Sequence, residues 1–243
     1  MISDDARIKS YALRAEEFGL VLRGGLNPVA EDAVPPVTDG VSPQTLMLFG
    51  NAGSSIWKAF SSSTEYRDGE PDPLNRWSER IGNMLADEWG GKALFPFGGP
   101  PYQPFLRWAK KAEKLESSQL GMLMHPVYGL WHAYRFAVAL PDILDMDASS
   151  HAEAHACDSC VDKPCLKGCP VNAFDGSRYD LETCYRHLES DPESACHRFG
   201  CQARVACPEG INYVYEPDHA AFHMEKFVLS QAAVFGDSAQ KPK

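Results

Sequence analysis

The stretch Cys157–Pro170 reads CDSCVDKPCLKGCP and decides how the rest of the sequence is interpreted. Its four cysteines are separated by two, four and three residues, and a proline follows the last one. Three closely spaced thiolates can bind three corners of one iron–sulfur cubane, and a cysteine before proline is directed toward a second cluster. Zinc sites more often use two separated C-x2-C pairs, and this stretch contains one. The spacing therefore predicts [4Fe-4S] binding.

All eight cysteines of the 243-residue sequence lie between Cys157 and Cys207. Arg204 stands where a regular second motif would have a cysteine, and Cys196 is the expected substitute. In two-cluster ferredoxins, which this segment resembles, the cysteine before proline binds the other cluster. One cluster with additional structural cysteines, or a zinc site, remain the alternatives. The predicted ligand sets are Cys157, Cys160, Cys165 and Cys207 for the first cluster and Cys169, Cys184, Cys196 and Cys201 for the second.

The formal net charge is −10, from 33 acidic and 23 basic residues. Nucleic acids and anionic membranes are bound by basic faces, so neither is expected as a partner, whereas a basic redox partner protein is. No apolar run reaches the roughly 20 residues of a membrane helix, and the acidic N-terminus lacks the apolar core of a signal peptide. We therefore expect a cytoplasmic protein whose cysteines are reduced metal ligands rather than disulfides.

The first 148 residues mix helical and strand patterns without strict alternation, which predicts the α+β class. The apolar stripe from Leu74 to Trp89 predicts a helix that begins at Asp72-Pro73, with Asp72 as its cap. The other predicted helices are residues 4–18, 55–63, 102–116 and 218–232, and the predicted strands are residues 45–50, 92–99 and 129–140. The predicted domains are an N-terminal mixed α/β domain (1–148), a dicluster [4Fe-4S] ferredoxin-like domain (149–215) and a C-terminal helix with a tail (216–243).

Three segments outside the cysteine region resemble the cobalamin-processing reductases of the CblC type. These are GMLMHPVYGLWHAYRFAVALPDI at residues 121–143, TLMLFGNAGSSIWKAF at residues 45–60 and DPLNRWSERIGNMLADE at residues 72–88. The same core, fused to two [4Fe-4S] clusters, occurs in epoxyqueuosine reductases and reductive dehalogenases, whose clusters supply electrons to a corrinoid. The resemblance implies a flavin- or corrinoid-reductase-like N-terminal domain followed by the ferredoxin-like dicluster domain.

The loop Pro101-Tyr102-Gln103-Pro104 departs from the epoxyqueuosine reductase pattern. Those reductases carry a catalytic aspartate in a short Asp-Ser-Ala-Pro stretch, and proline stands at the matching position here. The departure argues against tRNA modification by this chain. Tyr102 is the hypothetical catalytic residue in its place, since a phenol donates the proton in some dehalogenation chemistry.

Three residues of the segment 121–143 are candidate cofactor-binding residues, each with an ordinary structural alternative. His125 could line a corrinoid or flavin pocket, or be a turn residue whose backbone is restricted by the following proline. Trp131 could stack on a flat cofactor, or belong to the core. Arg135 could bind a phosphate or carboxylate, or pair with a surface acid.

We expect an iron–sulfur oxidoreductase that passes electrons through two [4Fe-4S] clusters to a corrinoid, flavin or small substrate in the N-terminal domain. The fusion supports this hypothesis, because an electron carrier alone has no need of a large cysteine-free domain. Two alternatives remain: a ferredoxin-type electron carrier that docks a redox partner protein, and a cobalamin-handling protein without an organic substrate of its own.

Overall fold

A four-stranded antiparallel sheet is the central feature of the computed structural model, which describes residues 3–146 and 156–236. In chain order the strands are β1 (Val21–Leu26), β2 (Thr45–Ala52), β3 (Lys92–Leu94), β4 (Glu116–Ser117), β5 (Leu123–Met124) and β6 (His132–Leu140). The α-helices are α1 (Asp4–Glu16), α2 (Trp57–Ser61), α3 (Thr64–Arg67), α4 (Pro73–Trp89), α5 (Phe105–Glu113), α6 (Ala156–Ser159), α7 (Pro164–Lys167), α8 (Leu181–Ser190), α9 (Ala195–Phe199), α10 (Gln202–Val205) and α11 (Pro217–Phe235). These elements divide between two units, the first with described residues 3–115 and 132–146 and the second with 116–131 and 156–236.

The sheet of the first unit has the order β1-β2-β6-β3, and all neighbouring strands are antiparallel. β2 is buried along its first seven residues. A short continuous apolar run is typical of a strand that is covered on both faces, and the strand predicted from TLMLFG is confirmed. The combination of helices with an antiparallel sheet confirms the α+β class.

Gly50 lies where β2 and β6 approach too closely for a side chain. The register of the two strands shifts between Phe49 and Gly50, and a Cβ at Gly50 would lie 1.8 Å from the Ala133 carbonyl oxygen. We expect Gly50→Ala to destabilise the first unit by about 1–3 kcal/mol or more, because backbone atoms would have to move. Urea unfolding followed by tryptophan fluorescence measures the loss. Gly98→Ala is the matched control, since a Cβ there is 3.5 Å from its nearest neighbour, the Phe95 carbonyl oxygen, and an equal loss in both variants would contradict the prediction.

Helix α4 begins at Pro73 and presents the predicted apolar stripe to the core. The buried residues of the stripe include Leu74, Trp77, Ile81 and Leu85. The predicted helix start at Asp72-Pro73 is confirmed, but the side-chain cap predicted for Asp72 is absent. Asp72 is at the N-cap position in a left-handed conformation with φ 52°, and its side chain makes no capping hydrogen bond. The start of the helix therefore depends on Pro73, whose fixed φ suits the first helical position.

Five predicted elements are shorter than expected. The helices predicted over residues 4–18 and 55–63 span Asp4–Glu16 and Trp57–Ser61. The strand predicted over residues 92–99 ends at Leu94, and the helix predicted over residues 102–116 spans Phe105–Glu113. Pro104 directly precedes that helix, and proline has no N–H for a helical hydrogen bond. The strand predicted from residue 129 begins at His132, because Gly129 is left-handed with φ 57° and closes a turn.

The second unit consists mostly of short helices around the cysteines. α6, α7, α9 and α10 have four or five residues each, whereas α8 has 10 and α11 has 19. α11 packs against α8 and α9 and confirms the helix predicted over residues 218–232. The segment 116–131 belongs to this unit by its contacts. The ferredoxin-like description stays a prediction, and the predicted boundary between residues 148 and 149 lies outside the described residues. Among the described residues, no helix combines the length and the apolar character needed to cross a bilayer.

Candidate metal centre

All eight cysteines are free thiols in the second unit. The buried ones are Cys157, Cys165, Cys169, Cys196 and Cys207, and the partly exposed ones are Cys160, Cys184 and Cys201. They come from several short helices and from the loops that join them. An enclosed set of reduced cysteines suits metal binding, because the thiolate is the metal ligand.

Four of the thiols, those of Cys157, Cys160, Cys165 and Cys207, form the first group. Burial raises the pKa of the Cys165 thiol, and the nearby charges of Cys157 and Cys160 raise it further. Burial also raises the pKa of Cys207, with additional effects from Cys165 and Cys157. The four residues line one cavity, so their thiols are neighbours.

The other four thiols form the second group. Burial raises the pKa of Cys184, and Cys169 and Cys196 add to the effect. Burial raises the pKa of Cys201 to about 11, again with contributions from Cys184 and Cys196. The two groups have the same members as the two predicted ligand sets. Iron binding by them stays a prediction.

The first group lines a cavity with about 410 Å³ of atom-free space, part of it open to solvent. The segment 116–131 provides much of the remaining wall, including Leu120, Met124 and Leu130. An apolar wall keeps water from a bound metal centre and lowers the dielectric around it, which changes the reduction potential. The cavity and its four sulfur donors therefore fit an iron–sulfur cubane.

Within the described part of the chain, no three His, Cys, Asp or Glu side chains converge closely enough to hold one metal ion. Four thiolates around a single zinc ion would lie about 3.8 Å apart, given a Zn–S bond of about 2.3 Å. A cubane makes a different demand on the protein. Each thiolate binds its own iron atom, so the four sulfur atoms lie farther apart.

Hydrogen-bond donors are directed at sulfur atoms of the second group. The Ala173 N–H donates to Cys169 Sγ over 3.2 Å, and the Tyr179 hydroxyl donates to Cys184. Burial raises the pKa of Tyr179, and Cys184 adds to this effect, so the hydroxyl keeps its proton and remains a donor. Such donors stabilise thiolates and tune the potential of iron–sulfur clusters. The cysteine spacing gives no signal for Tyr179, which approaches from the loop before α8.

His125 holds a turn together. Its ring is buried, and its Nδ1 accepts the N–H groups of Val127 and Tyr128 over 3.0 and 3.1 Å. The ring also stacks on Tyr128, with 4.2 Å between centroids. A Cβ at Gly129 would lie 2.1 Å from the Glu209 carbonyl oxygen, so the turn packs tightly beside the last cysteine loop. This geometry is the one expected for a turn residue. Contact of His125 with a cofactor stays a prediction.

Trp131 is buried and contacts two other side chains. The Arg204 guanidinium lies over its ring at 4.2 Å from the centroid, and Tyr215 meets the ring edge to face at 5.3 Å. Trp131 and Tyr215 belong to a buried cluster of the second unit. Stacking of Trp131 on a cofactor stays a prediction.

Arg135 and Tyr102 lie in the first unit, whereas His125 and Trp131 lie in the second. Arg135 on β6 donates to Ser78 Oγ and to the side-chain oxygen of Asn75 on α4, over 3.0 Å in each case. Tyr102 is 66% exposed in the loop before α5. Its catalytic role and the cofactor contact of Arg135 stay predictions.

A buried ion pair in the first unit escapes sequence-based analysis. The Arg23 and Glu113 side chains are 0% and 5% exposed and form a two-pronged pair, with both N–O distances at 3.1 Å. The Tyr134 hydroxyl donates to the same carboxylate, and His132 Nδ1 lies 3.1 Å from Arg23 Nη2. Burial raises the pKa of Tyr134, and Glu113 adds to the effect, so this hydroxyl stays protonated. Nothing in VLRGGL marks its arginine as buried, because arginine is mostly a surface residue.

No protein-family model matches the chain, and no curated protein matches it. Solved structures of epoxyqueuosine reductases do. The enzyme from Streptococcus thermophilus is 16% identical, with a TM-score of 0.48 over 94% of this chain and 75% of that one. An epoxyqueuosine reductase in complex with an epoxyqueuosine-modified tRNA-Tyr stem loop is 15% identical, with a TM-score of 0.44 over 88% of this chain and 70% of that one. The enzyme from Bacillus subtilis, with its catalytic loop swung out of the active site, is 15% identical, with a TM-score of 0.46 over 88% and 70%. Likenesses at this level assign no activity to this chain.

Proposed function

We propose that this chain is an iron–sulfur oxidoreductase that passes electrons through two [4Fe-4S] clusters to a corrinoid, flavin or small substrate held by the first unit. The grouping of the eight thiols supports the proposal most strongly. Four of them line one cavity, and the other four are linked by the effects of Cys169 on Cys184 and Cys196 and of these two on Cys201. Two cubanes have eight iron corners, and eight thiolates fill all of them. A single cluster would leave four neighbouring thiols without a role.

The clusters, when bound, supply one-electron transfer. The protein holds them, keeps water away and sets their potentials. Leu120, Met124 and Leu130 form the apolar wall at the first set. At the second set, Ala173 and Tyr179 donate hydrogen bonds to sulfur, which draws negative charge from the ligands and favours the reduced state.

The first unit is the proposed location of the electron acceptor. Tyr102 is the proposed proton donor, and its exposure leaves the hydroxyl accessible. Arg135 is the proposed cofactor contact in this unit. A Tyr102→Phe variant that reduces the corrinoid, flavin or small substrate at the rate of the parent protein would remove Tyr102 from the proposal.

A ferredoxin-type electron carrier is the second candidate, and the net charge of −10 favours it. An acidic surface steers a basic redox partner into a weak, short-lived complex. A cobalamin-handling protein, which reduces its cargo and passes it on, is the third. Both candidates need the same two clusters, so the cluster content does not separate them from the first proposal.

Anaerobic purification followed by addition of hydroxocobalamin or FMN separates these functions. We expect about eight iron and eight sulfide per chain, and tight binding of one added cofactor with its reduction by the pre-reduced clusters, followed in the visible spectrum. Binding of neither would contradict the corrinoid and flavin forms of the proposal and favour the electron carrier. Reduction without turnover of any organic substrate would favour the cobalamin-handling protein.

Cys165→Ala is the matched control for this experiment. It should leave binding of the added cofactor intact and slow its reduction, because Cys165 belongs to the thiol groups and not to the first unit. An epoxyqueuosine-modified tRNA stem loop, the ligand in one structural neighbour, is a further addition. We expect no binding of it, because a chain with a net charge of −10 repels the phosphates of a nucleic acid.

A further inference from the structure

The Arg204 guanidinium is fixed between two aromatic rings. Its Cζ lies 4.2 Å from the centroid of Trp131 and 4.5 Å from that of Tyr215. Its Nη2 also donates to the Leu130 carbonyl oxygen over 2.5 Å. The His219 ring stacks on Tyr215, with 4.2 Å between the ring centroids. A planar guanidinium suits such a stacked position, and a lysine ammonium does not.

Two hydrogen-bond donors beside this cation lack an acceptor. Arg204 Nε and Trp131 Nε1 are both buried, and neither has a hydrogen-bond partner among the described residues. The described residues also contribute no carboxylate that pairs with Arg204. A buried donor without a partner destabilises the fold, and more so when it is charged. The position is therefore suited to a negative charge that these residues do not supply.

The backbone of Arg204 lies between the two thiol groups. Its N–H is directed at the sulfur of Cys201, and its carbonyl accepts the Cys207 N–H over 3.2 Å. Leu130, whose carbonyl binds the guanidinium, lines the cavity of the first group. The guanidinium thus contacts a residue of the cavity wall. A cluster held by the four thiolates would place negative charge inside that cavity.

On the basis of the proposed function, we propose that Arg204 is the positioning residue that supplies the counter-charge of the first cluster and raises its reduction potential. Reduction adds an electron to an already anionic centre. A fixed cation nearby stabilises the reduced form more than the oxidised form, and net charge is one of the factors that set cluster potentials. The aromatic rings of Trp131 and Tyr215 keep the cation in place.

Redox titration of the protein, followed by electron paramagnetic resonance, tests the proposal. The signal of the first cluster is the one that Cys157→Ala removes. We expect Arg204→Gln to lower the ratio of reduced to oxidised first cluster at least tenfold at a fixed potential, about 59 mV for a one-electron couple. Arg204→Lys keeps the charge and should shift the ratio less. Arg198→Gln removes a cation whose side chain is 57% exposed, and solvent screening should keep its shift within about twofold.

An unchanged potential in Arg204→Gln, with about eight iron retained, would overturn this inference alone. An equal shift in Arg198→Gln would also overturn it, because the effect would then come from net charge. Parent protein without iron or sulfide would overturn the proposed function as well. If Arg204→Gln does not retain its clusters, Arg204→Lys serves as the test instead. A change of less than tenfold in the ratio of reduced to oxidised first cluster supports the counter-charge role of Arg204. A larger change, although the charge is retained, contradicts it.

Discussion

Replacing Cys207 by alanine should remove the first cluster and leave the second, although Cys207 ends the second cysteine motif. The reason is spatial. The Cys207 thiol is influenced by Cys165 and Cys157, and it lines the same cavity as they do. Iron content should fall from about eight to about four per chain, since each cubane contains four iron atoms.

Cys169→Ala is the matched control, because it makes the same change at the other cysteine that precedes a proline. Cys169 acts on the pKa of Cys184 and Cys196, so its loss should remove the second cluster. Iron analysis with electron paramagnetic resonance of the reduced proteins measures both. The remaining signal in Cys207→Ala should match that in Cys157→Ala. A match with Cys169→Ala would contradict the exchange of ligands between the motifs.

The cysteine spacing carries most of the information about the candidate centre, because cluster ligation depends on a few side chains at short sequence separations. It does not reveal the cavity wall. The hairpin strands β4 and β5 have two residues each, too short for a period-two pattern to be recognised. The contact between the turn at Gly129 and the loop at Glu209 depends on backbone approach, and no side-chain pattern records it.

In the first unit, too, elements with a local sequence pattern are predicted, whereas features that depend on distant contacts are not. β2 and α4 are predicted because their apolar patterns are long and regular. β1 is not predicted, since Gly24 and Gly25 interrupt its sequence and its register with β2 shifts between Leu22 and Gly25. Arg23 within it is buried by a partner 90 residues away. A pairing of this separation depends on the folded chain and has no local signal.

Replacing that partner should have the largest effect on stability. We expect Glu113→Gln to destabilise the first unit by about 3–5 kcal/mol, because it leaves the buried Arg23 charge without its counter-charge. The Tyr134 hydroxyl, which donates to Glu113, would lose a charged acceptor as well.

Urea unfolding followed by tryptophan fluorescence measures this loss. Four of the five tryptophans lie in the first unit, so the signal reports mainly on it. Glu88→Gln is the matched control. Glu88 pairs with Arg14, and both side chains are about a third exposed, at 38% and 32%. Water can solvate that arginine when its partner is neutralised, so this variant should change stability far less.

The double variant Arg23→Met with Glu113→Leu distinguishes two contributions to stability. One is the net stabilisation by the ion pair, and the other is the cost of burying a single unpaired charge. A buried pair replaced by apolar residues of similar size is often tolerated, whereas the removal of one partner is not. We therefore expect the double variant to be more stable than Glu113→Gln alone, even though it lacks the whole ion pair. Adding Tyr134→Phe should stabilise it further, because the hydroxyl would otherwise be buried without the acceptor that it has in the parent. A double variant as unstable as Glu113→Gln would instead show that the pair itself, with its hydrogen bonds, stabilises β1 against α5.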